Sequence, residues 1–307
     1  MRYRPLIVRT LCVASLMLAA LAVAACMRTP SGLERSSITH DGLHRSYLLF
    51  VPEMAAEPMP LVLALHRFTG SGAEMARTSR FHEVAAEEGF VVVFPDGRGR
   101  RWNTESDASP DDVGFLLALV DALSEELPID PRRVYVTGAS NGGFLTWLLA
   151  CQASERFAAV APVMATFPEE IADACGNGPM PVCIVHGTAD PVVPYDESEL
   201  QGGPGSMRRV LPIPEAIAFW VERNGANPEP EITVLPDLDP NDGTTTTVER
   251  YTNPGGAEVL HYRVEGGGHT WPGGTEIWPR FIVGNQSQDF SASRAIWAFF
   301  EANVLPE

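Results

Sequence analysis

An α/β fold, with one mostly parallel sheet covered by helices on both faces, is predicted by three observations. Short, nearly continuous apolar runs recur along the chain, helical patterns fall between most of them, and 307 residues suffice for one large domain with a sizeable core. The strand-like runs cover residues 46–51, 61–65, 90–94, 134–137, 158–163, 182–185 and 259–264. Runs such as Leu-Val-Leu-Ala-Leu at 61–65 and Phe-Val-Val-Val-Phe at 90–94 carry no polar alternation, as expected of strands buried on both faces. Helical patterns occupy residues 73–88, 110–126, 142–150, 214–224 and 291–303. The second of these has favourable start chemistry: Ser109 can cap it, Pro110 suits its first position, and Asp111 and Asp112 complement the positive end of the helix dipole. In such sheets, sites form at the carboxyl ends of the strands.

Arg2, Arg4 and Arg9 precede an apolar run at 11–25 in which small residues crowd toward Cys26. The run is too short to span a bilayer and has the form of a secretory signal. Val23-Ala24-Ala25-Cys26 is similar to a bacterial lipobox, in which the Cys is acylated and becomes the first mature residue; the alternative is an ordinary signal peptide with a nearby Cys. The expected organisation is therefore a signal at 1–25, a short mature segment at 26–40 and a single catalytic domain at 41–307, with no linker or repeat dividing it. Membrane association is expected only through a lipid on Cys26.

The net charge of −17 becomes −20 once residues 1–25, which hold three arginines and no acid, are removed. All 22 basic residues are Arg. So strong an acidic balance makes nucleic acids and anionic membrane surfaces poor partners. Four cysteines remain after processing. Cys183 sits in an apolar strand pattern and reads as a buried thiol, which leaves Cys151 and Cys175 as the pair expected to bond in an oxidising compartment, the alternative being two free thiols.

The chemistry centres on Val134-Tyr-Val-Thr-Gly138-Ala-Ser140-Asn-Gly142-Gly143, a strand running through Gly-x-Ser-x-Gly into a helical pattern. A sharp strand-to-helix turn exposes its Ser, and small neighbours let the chain pass; this is the nucleophile elbow of an α/β-hydrolase. The backbone N–H of Asn141 then lies at a helix start, facing charge that develops on a substrate carbonyl. In this fold the acid and the base follow the Ser in that order. Asp190 lies just past the strand pattern ending at Val185, where a carboxylate can orient an imidazole; Asp196, beyond Pro191 and Pro194, is the alternative. His269 sits in a glycine-rich loop directly after residues 259–264, whereas His261 lies within that strand pattern. The loop from Leu65 to Gly72 should supply a second oxyanion donor, the N–H of Phe68.

Leu65-His66 with Gly70-Ser71-Gly72, Trp102-Asn103, Gly138-Ala-Ser-Asn-Gly-Gly143, His186-Gly-Thr-Ala-Asp190 and Gly266-Gly-Gly-His-Thr-Trp-Pro-Gly-Gly274 together resemble the polyhydroxybutyrate depolymerase family of esterases, which includes feruloyl and acetylxylan esterases. The likeness runs in consistent order from about residue 40 to about 303. It implies Ser140, Asp190 and His269 as the triad of a serine esterase that needs no metal or cofactor. Arg67 departs from the family pattern, which usually has Gly there, and the additional polymer-binding domain of depolymerases that attack solid polymer is expected to be absent. Trp102, Trp271 and Trp278 are candidates for a substrate pocket, with ordinary packing as the alternative.

Other motifs carry less. Asp237 to Gly243 superficially resembles a calcium loop, but its Gly is one place late and no Glu stands at the twelfth position, so it reads as a solvated turn. The expectation is a secreted, lipid-anchored serine esterase acting on an ester oligomer or polymer. The other readings are a serine peptidase of the same fold and an inactive carbohydrate-binding lipoprotein.

Overall fold

The computed structural model describes residues 30–306 except 54–55, 106–108, 177 and 202–206, so the signal segment and Cys26 lie outside the described residues. Ten strands form one sheet in the order β1 (Glu34–His40), β2 (Leu43–Phe50), β4 (Val91–Pro95), β3 (Met59–Leu65), β5 (Ile129–Ala139), β6 (Ala159–Val163), β8 (Val182–Gly187), β13 (Val259–Glu265), β12 (Thr245–Tyr251) and β11 (Glu231–Val234). The six central strands, β4 to β13, are parallel, and the outer two on each side are antiparallel. A three-stranded sheet joins β7 (Phe167–Pro168), β10 (Met207–Leu211) and β9 (Glu199–Gln201).

Side chains alternate between two cores along β3, all of whose residues are apolar and buried. In β3, Leu61, Leu63 and Leu65 join one core with Leu116 and Leu119 of α3 (Asp112–Glu126), Leu145 of α4 (Asn141–Gln152) and Trp220 of α6 (Ile213–Arg223). Val62 and Ala64 face the other core, with Met75 of α1 (Gly72–Ser79), Phe81 of α2 (Phe81–Glu88) and Trp297 of α8 (Ala292–Glu301). Two short helices, α5 (Glu169–Asp173) and α7 (Arg280–Val283), complete the set. Among the described residues no helix is long and apolar enough to cross a membrane.

Local chemistry accounts for the differences from the predicted elements. The helix expected over 73–88 is two helices, α1 and α2, because Arg80 turns left-handed at φ 55° while its N–H closes α1 on the Ala76 carbonyl. The helix expected from Pro110 starts at Asp112. Its cap is Asp111, whose Oδ1 accepts from the Gly114 N–H at 2.8 Å, rather than Ser109. Asp112 turns inward to Arg45, 2.5 Å away and equally buried. Strand β1 lies within the 26–40 segment and pairs with β2 along its whole length, extending the sheet outward. Cys151, in the last turn of α4, is disulfide-bonded to Cys175, and Cys183 is a free, buried thiol. On the chain-entropy account, closing such a loop contributes roughly 3 kcal/mol.

Candidate active site

Sheet register sets the frame. Ala139 pairs with Val163, Val163 with Val185 and Val185 with Tyr262, so β5, β6, β8 and β13 end at one edge, their carboxyl edge. Ser140 follows β5 immediately, Asp190 lies three residues past β8, and His269 four past β13.

Ser140 sits at φ 54°, ψ −115°, a strained conformation for a residue with a side chain. Its backbone is fixed from both sides: its N–H donates to the Val163 carbonyl at 2.8 Å, and its own carbonyl accepts the first turn of α4 from Phe144 at 2.9 Å. Ser is a preferred helix cap, yet this hydroxyl makes no capping bond and so remains available for chemistry. The tight turn depends on Gly138, where a Cβ would run into the carbonyl of Gly142.

Asp190 and His269 are joined. Asp190 Oδ2 lies 2.7 Å from His269 Nδ1, and both residues are buried. The other carboxylate oxygen accepts the N–H groups of Val192 and Val193, each at 2.8 Å. His186 lies beneath, its Nε2 2.8 Å from the Val193 carbonyl and 3.6 Å from the carboxylate. Burial opposes ionisation of Asp190, but the electrostatic pull of the neighbouring imidazoles, His269 foremost, and the hydrogen bonds from His269 and Val193 outweigh it, holding the carboxyl below its ordinary range. The His269 loop is set by backbone: its N–H donates to the Val283 carbonyl at 2.5 Å, and a Cβ on Gly268 would meet that same oxygen. The structure thus brings Asp190 to the imidazole, while Asp196 is exposed beyond the Pro191 turn.

The loop after β3 is organised around His66. Its Nε2 accepts from the Gly97 N–H at 2.9 Å, which leaves the ring proton on Nδ1 to donate to the Arg67 carbonyl at 2.8 Å. Burial depresses its pKa and keeps the ring neutral, as this pattern requires. The Arg67 carbonyl also accepts from the Gly70 N–H at 2.9 Å. In a trans peptide the C=O and the following N–H point in opposite directions, so holding this carbonyl aims the Phe68 N–H the other way. Asn141, first residue of α4, has an N–H without an intrahelical acceptor. Its side chain is occupied elsewhere, exchanging two hydrogen bonds with the backbone of Trp102 at 2.7 and 3.1 Å.

Two tryptophans have other roles than the pocket expected of them. Trp271 is fully buried against Phe81, with its ring N–H on Ser293, and so packs core. Trp102 is 3% exposed and braces the loop, donating from Nε1 to the His66 carbonyl at 2.8 Å. Trp278, 41% exposed, is the one of the three that reaches solvent. Sequence reasoning missed the buried ion cluster of Arg67 with Glu74 and Glu276, whose members lie up to 209 positions apart. It also missed His186, although its place four residues before Asp190 in the same motif was a usable signal. Among the described residues His40, Asp41 and Asp111 have donor atoms close enough to share a cation. Asp41 and Asp111 are exposed, Asp111 is engaged as a helix cap, and none of the three stands on the Ser140, Asp190 or His269 loops.

A carboxylate-held imidazole and an uncapped serine on a strained turn, on neighbouring loops at one edge of the sheet, are parts that acyl transfer needs. A sequence model of the family described as Esterase PHB depolymerase matches residues 45–196. The chain is 33% identical over 250 residues to "Putative esterase NocK" of Nocardia uniformis subsp. tsuyamanensis, covering 77% of this chain and 72% of that one. It is 29% identical over 230 residues to feruloyl esterase B of Piromyces equi, covering 71% of this chain but 41% of the relative. Among solved structures, acetyl xylan esterase from Aspergillus awamori superposes with a TM-score of 0.58 at 18% identity, over 87% of this chain and 98% of the other, which is a likeness of fold. By sequence and architecture together, this chain belongs to the PHB depolymerase family of esterases, carboxylic ester hydrolases of the α/β-hydrolase fold.

Proposed function

We propose that this esterase works through an acyl-enzyme formed on Ser140. His269 takes the hydroxyl proton as Oγ attacks the ester carbonyl carbon, and Asp190 holds the imidazole by Nδ1 and stabilises its protonated form. The oxyanion is met by the N–H groups of Asn141 and Phe68. His269 then protonates the departing alcohol, and a water it deprotonates releases the acid and restores Ser140. The observation that carries this reading is the 2.7 Å Asp190–His269 contact, with the N–H groups of Val192 and Val193 holding that carboxylate in place.

The natural substrate we infer is an acetyl or feruloyl ester of plant polysaccharide or a hydroxyalkanoate oligomer. Relatives named feruloyl esterase and bifunctional acetylxylan esterase/xylanase support it. The signal-like residues 1–25 and the Cys151–Cys175 bond support export to an oxidising compartment, and Val23 to Cys26 supports a lipid anchor at the cell envelope.

Ser140→Ala is expected to lower kcat on a soluble chromogenic acetate ester by roughly 10^4-fold or more with the fold retained. Turnover near that of the parent would sink the acyl-enzyme reading. A panel of acetylated xylan, methyl ferulate and hydroxybutyrate oligomers would then rank the substrates by kcat/KM.

A further inference from the structure

We propose that Arg67 is a positioning residue for catalysis, the centre of a charged latch that locks the oxyanion loop to the segment following His269. This rests on Phe68 supplying an oxyanion donor, as set out above. Arg67 Nε donates to Glu74 at 2.8 Å, while Nη1 and Nη2 donate to the two oxygens of Glu276 at 3.1 and 3.0 Å. All three side chains are about nine-tenths buried. Glu74 belongs to the first turn of α1, whereas Glu276 lies seven residues past His269.

Each partner is itself immobilised. Glu276 accepts the N–H groups of Ile277 and Trp278, both at 2.8 Å, and the neighbouring Thr275 N–H donates to the Thr78 carbonyl at the end of α1. Residue 67 is therefore gripped twice, by its carbonyl through His66 and Gly70 and by its guanidinium through two carboxylates. Among the described residues, residue 68 has no comparable hold, and the Phe68 side chain is 58% exposed. The direction of the Phe68 N–H is thus set by its neighbour. A bidentate guanidinium–carboxylate pair fixes direction as well as distance. A buried ion cluster often adds little stability over apolar packing of the same volume, so geometry is the property this cluster is suited to supply. The latch also spans the two loops that must act together, one carrying the oxyanion donor and the other the base.

The test compares Arg67→Met, Glu276→Gln and the double variant with the parent enzyme. Turnover of a soluble chromogenic acetate ester is normalised to Ser140 labelled at saturation by a fluorophosphonate, so that misfolded molecules are not counted. Affinity for a short alkyl boronic acid, which forms a tetrahedral adduct on the serine, reports the oxyanion site. For Arg67→Met we expect kcat per labelled site to fall about 10- to 100-fold with KM nearly unchanged, and boronate affinity to fall in parallel. Glu276→Gln should show a smaller loss of the same kind, and the double variant should be no worse than Arg67→Met, since both act through one latch.

Parental kcat and boronate affinity per labelled site in Arg67→Met would overturn the proposal, even if the variant melts earlier. Should Arg67→Met fail to fold, Glu276→Gln decides on the same two readouts, because Arg67 there keeps Glu74. A Ser140→Ala variant that retained turnover would instead remove the acyl-enzyme reading, an outcome separate from either.

Discussion

The Ser140 side of the proposed site and its Asp190–His269 side are built from different materials. Ser140 is held by main chain: a strained φ, ψ pair, one N–H on Val163 and the first turn of α4. Asp190 and His269 meet through side chains, with two N–H groups steadying the carboxylate and His186 packed beneath it. A backbone-built position tolerates changes in surrounding side chains but not a Cβ where the chain crosses itself. A side-chain-built position tolerates small shifts in chain path, yet it fails when a single hydrogen-bonding atom changes its donor or acceptor character.

The largest expected effect comes from breaking the side-chain half by one atom. Asp190→Asn keeps the shape but turns one acceptor into a donor. The new amide would either oppose the Val192 and Val193 N–H groups or face His269 Nδ1–H, favouring the wrong imidazole tautomer. We expect kcat to fall roughly 10^4-fold with the fold intact, measured as burst-normalised turnover at neutral pH. A loss under tenfold would mean that the carboxylate is not what orients His269.

Breaking the backbone half needs only a methyl group. In Gly138→Ala the added Cβ meets the Gly142 carbonyl, so the elbow must open and carry Ser140 with it. Displacing a nucleophile by about 1 Å costs roughly 10^2-fold in rate, and overpacking of this kind costs about 1–3 kcal/mol. Kinetics and a thermal melt on the same sample check both. Parental values in both would show that the turn is not as tight as the contact implies.

The same division explains what was legible in the sequence. The elbow, Asp190 and His269 stand in short local motifs next to apolar strands, so strand ends located them. The central strands were legible because burial on both faces leaves only apolar residues, as in Val91–Pro95. The outer strands β1 and β11 are largely exposed, and neither the polar β1 nor the four-residue β11 carries such a mark; each is ordered by pairing with a neighbour. Helix boundaries failed where a side chain had a tertiary appointment, as when Asp112 turned to Arg45 and left the cap to Asp111. Arg67 was visible as a departure from the family pattern, but its partner Glu276 comes from the far end of the chain, a pairing that spacing does not encode. Trp271, two residues after His269, illustrates the converse: proximity in sequence put it in a pocket, whereas its ring is turned into the core against Phe81.

Acid should separate the buried imidazoles of both halves from the carboxylates, with the smallest effect per residue. His66 in the loop after β3, His186 beneath Asp190 and His261 on β13 all have their pKa lowered from the ordinary 6.5, with burial the leading cause in each. A group depressed in the folded state stays neutral there while its unfolded counterpart binds a proton. Stability is therefore complete above about pH 6.5 and is lost as pH falls from there toward each folded pKa, by up to about 1.4 kcal/mol per pH unit for each histidine. Asp190 works over a lower window: its carboxyl is held below the ordinary 3.8, so its contribution is present above that value and disappears only as pH falls through the folded one. Denaturant melts at successive pH values between 8 and 5 should show a decline that begins near 6.5, before aspartates titrate. Replacing His186 with Gln should flatten that slope by up to one histidine's share, and Asp190→Asn, which removes a carboxylate that raises the pKa of His186, should leave the decline at least as steep as in the parent. A level profile from pH 8 to 5 would mean that these imidazoles take up protons without opening the fold, which the burial of His66 against the Gly97 N–H and of His186 beneath Asp190 argues against.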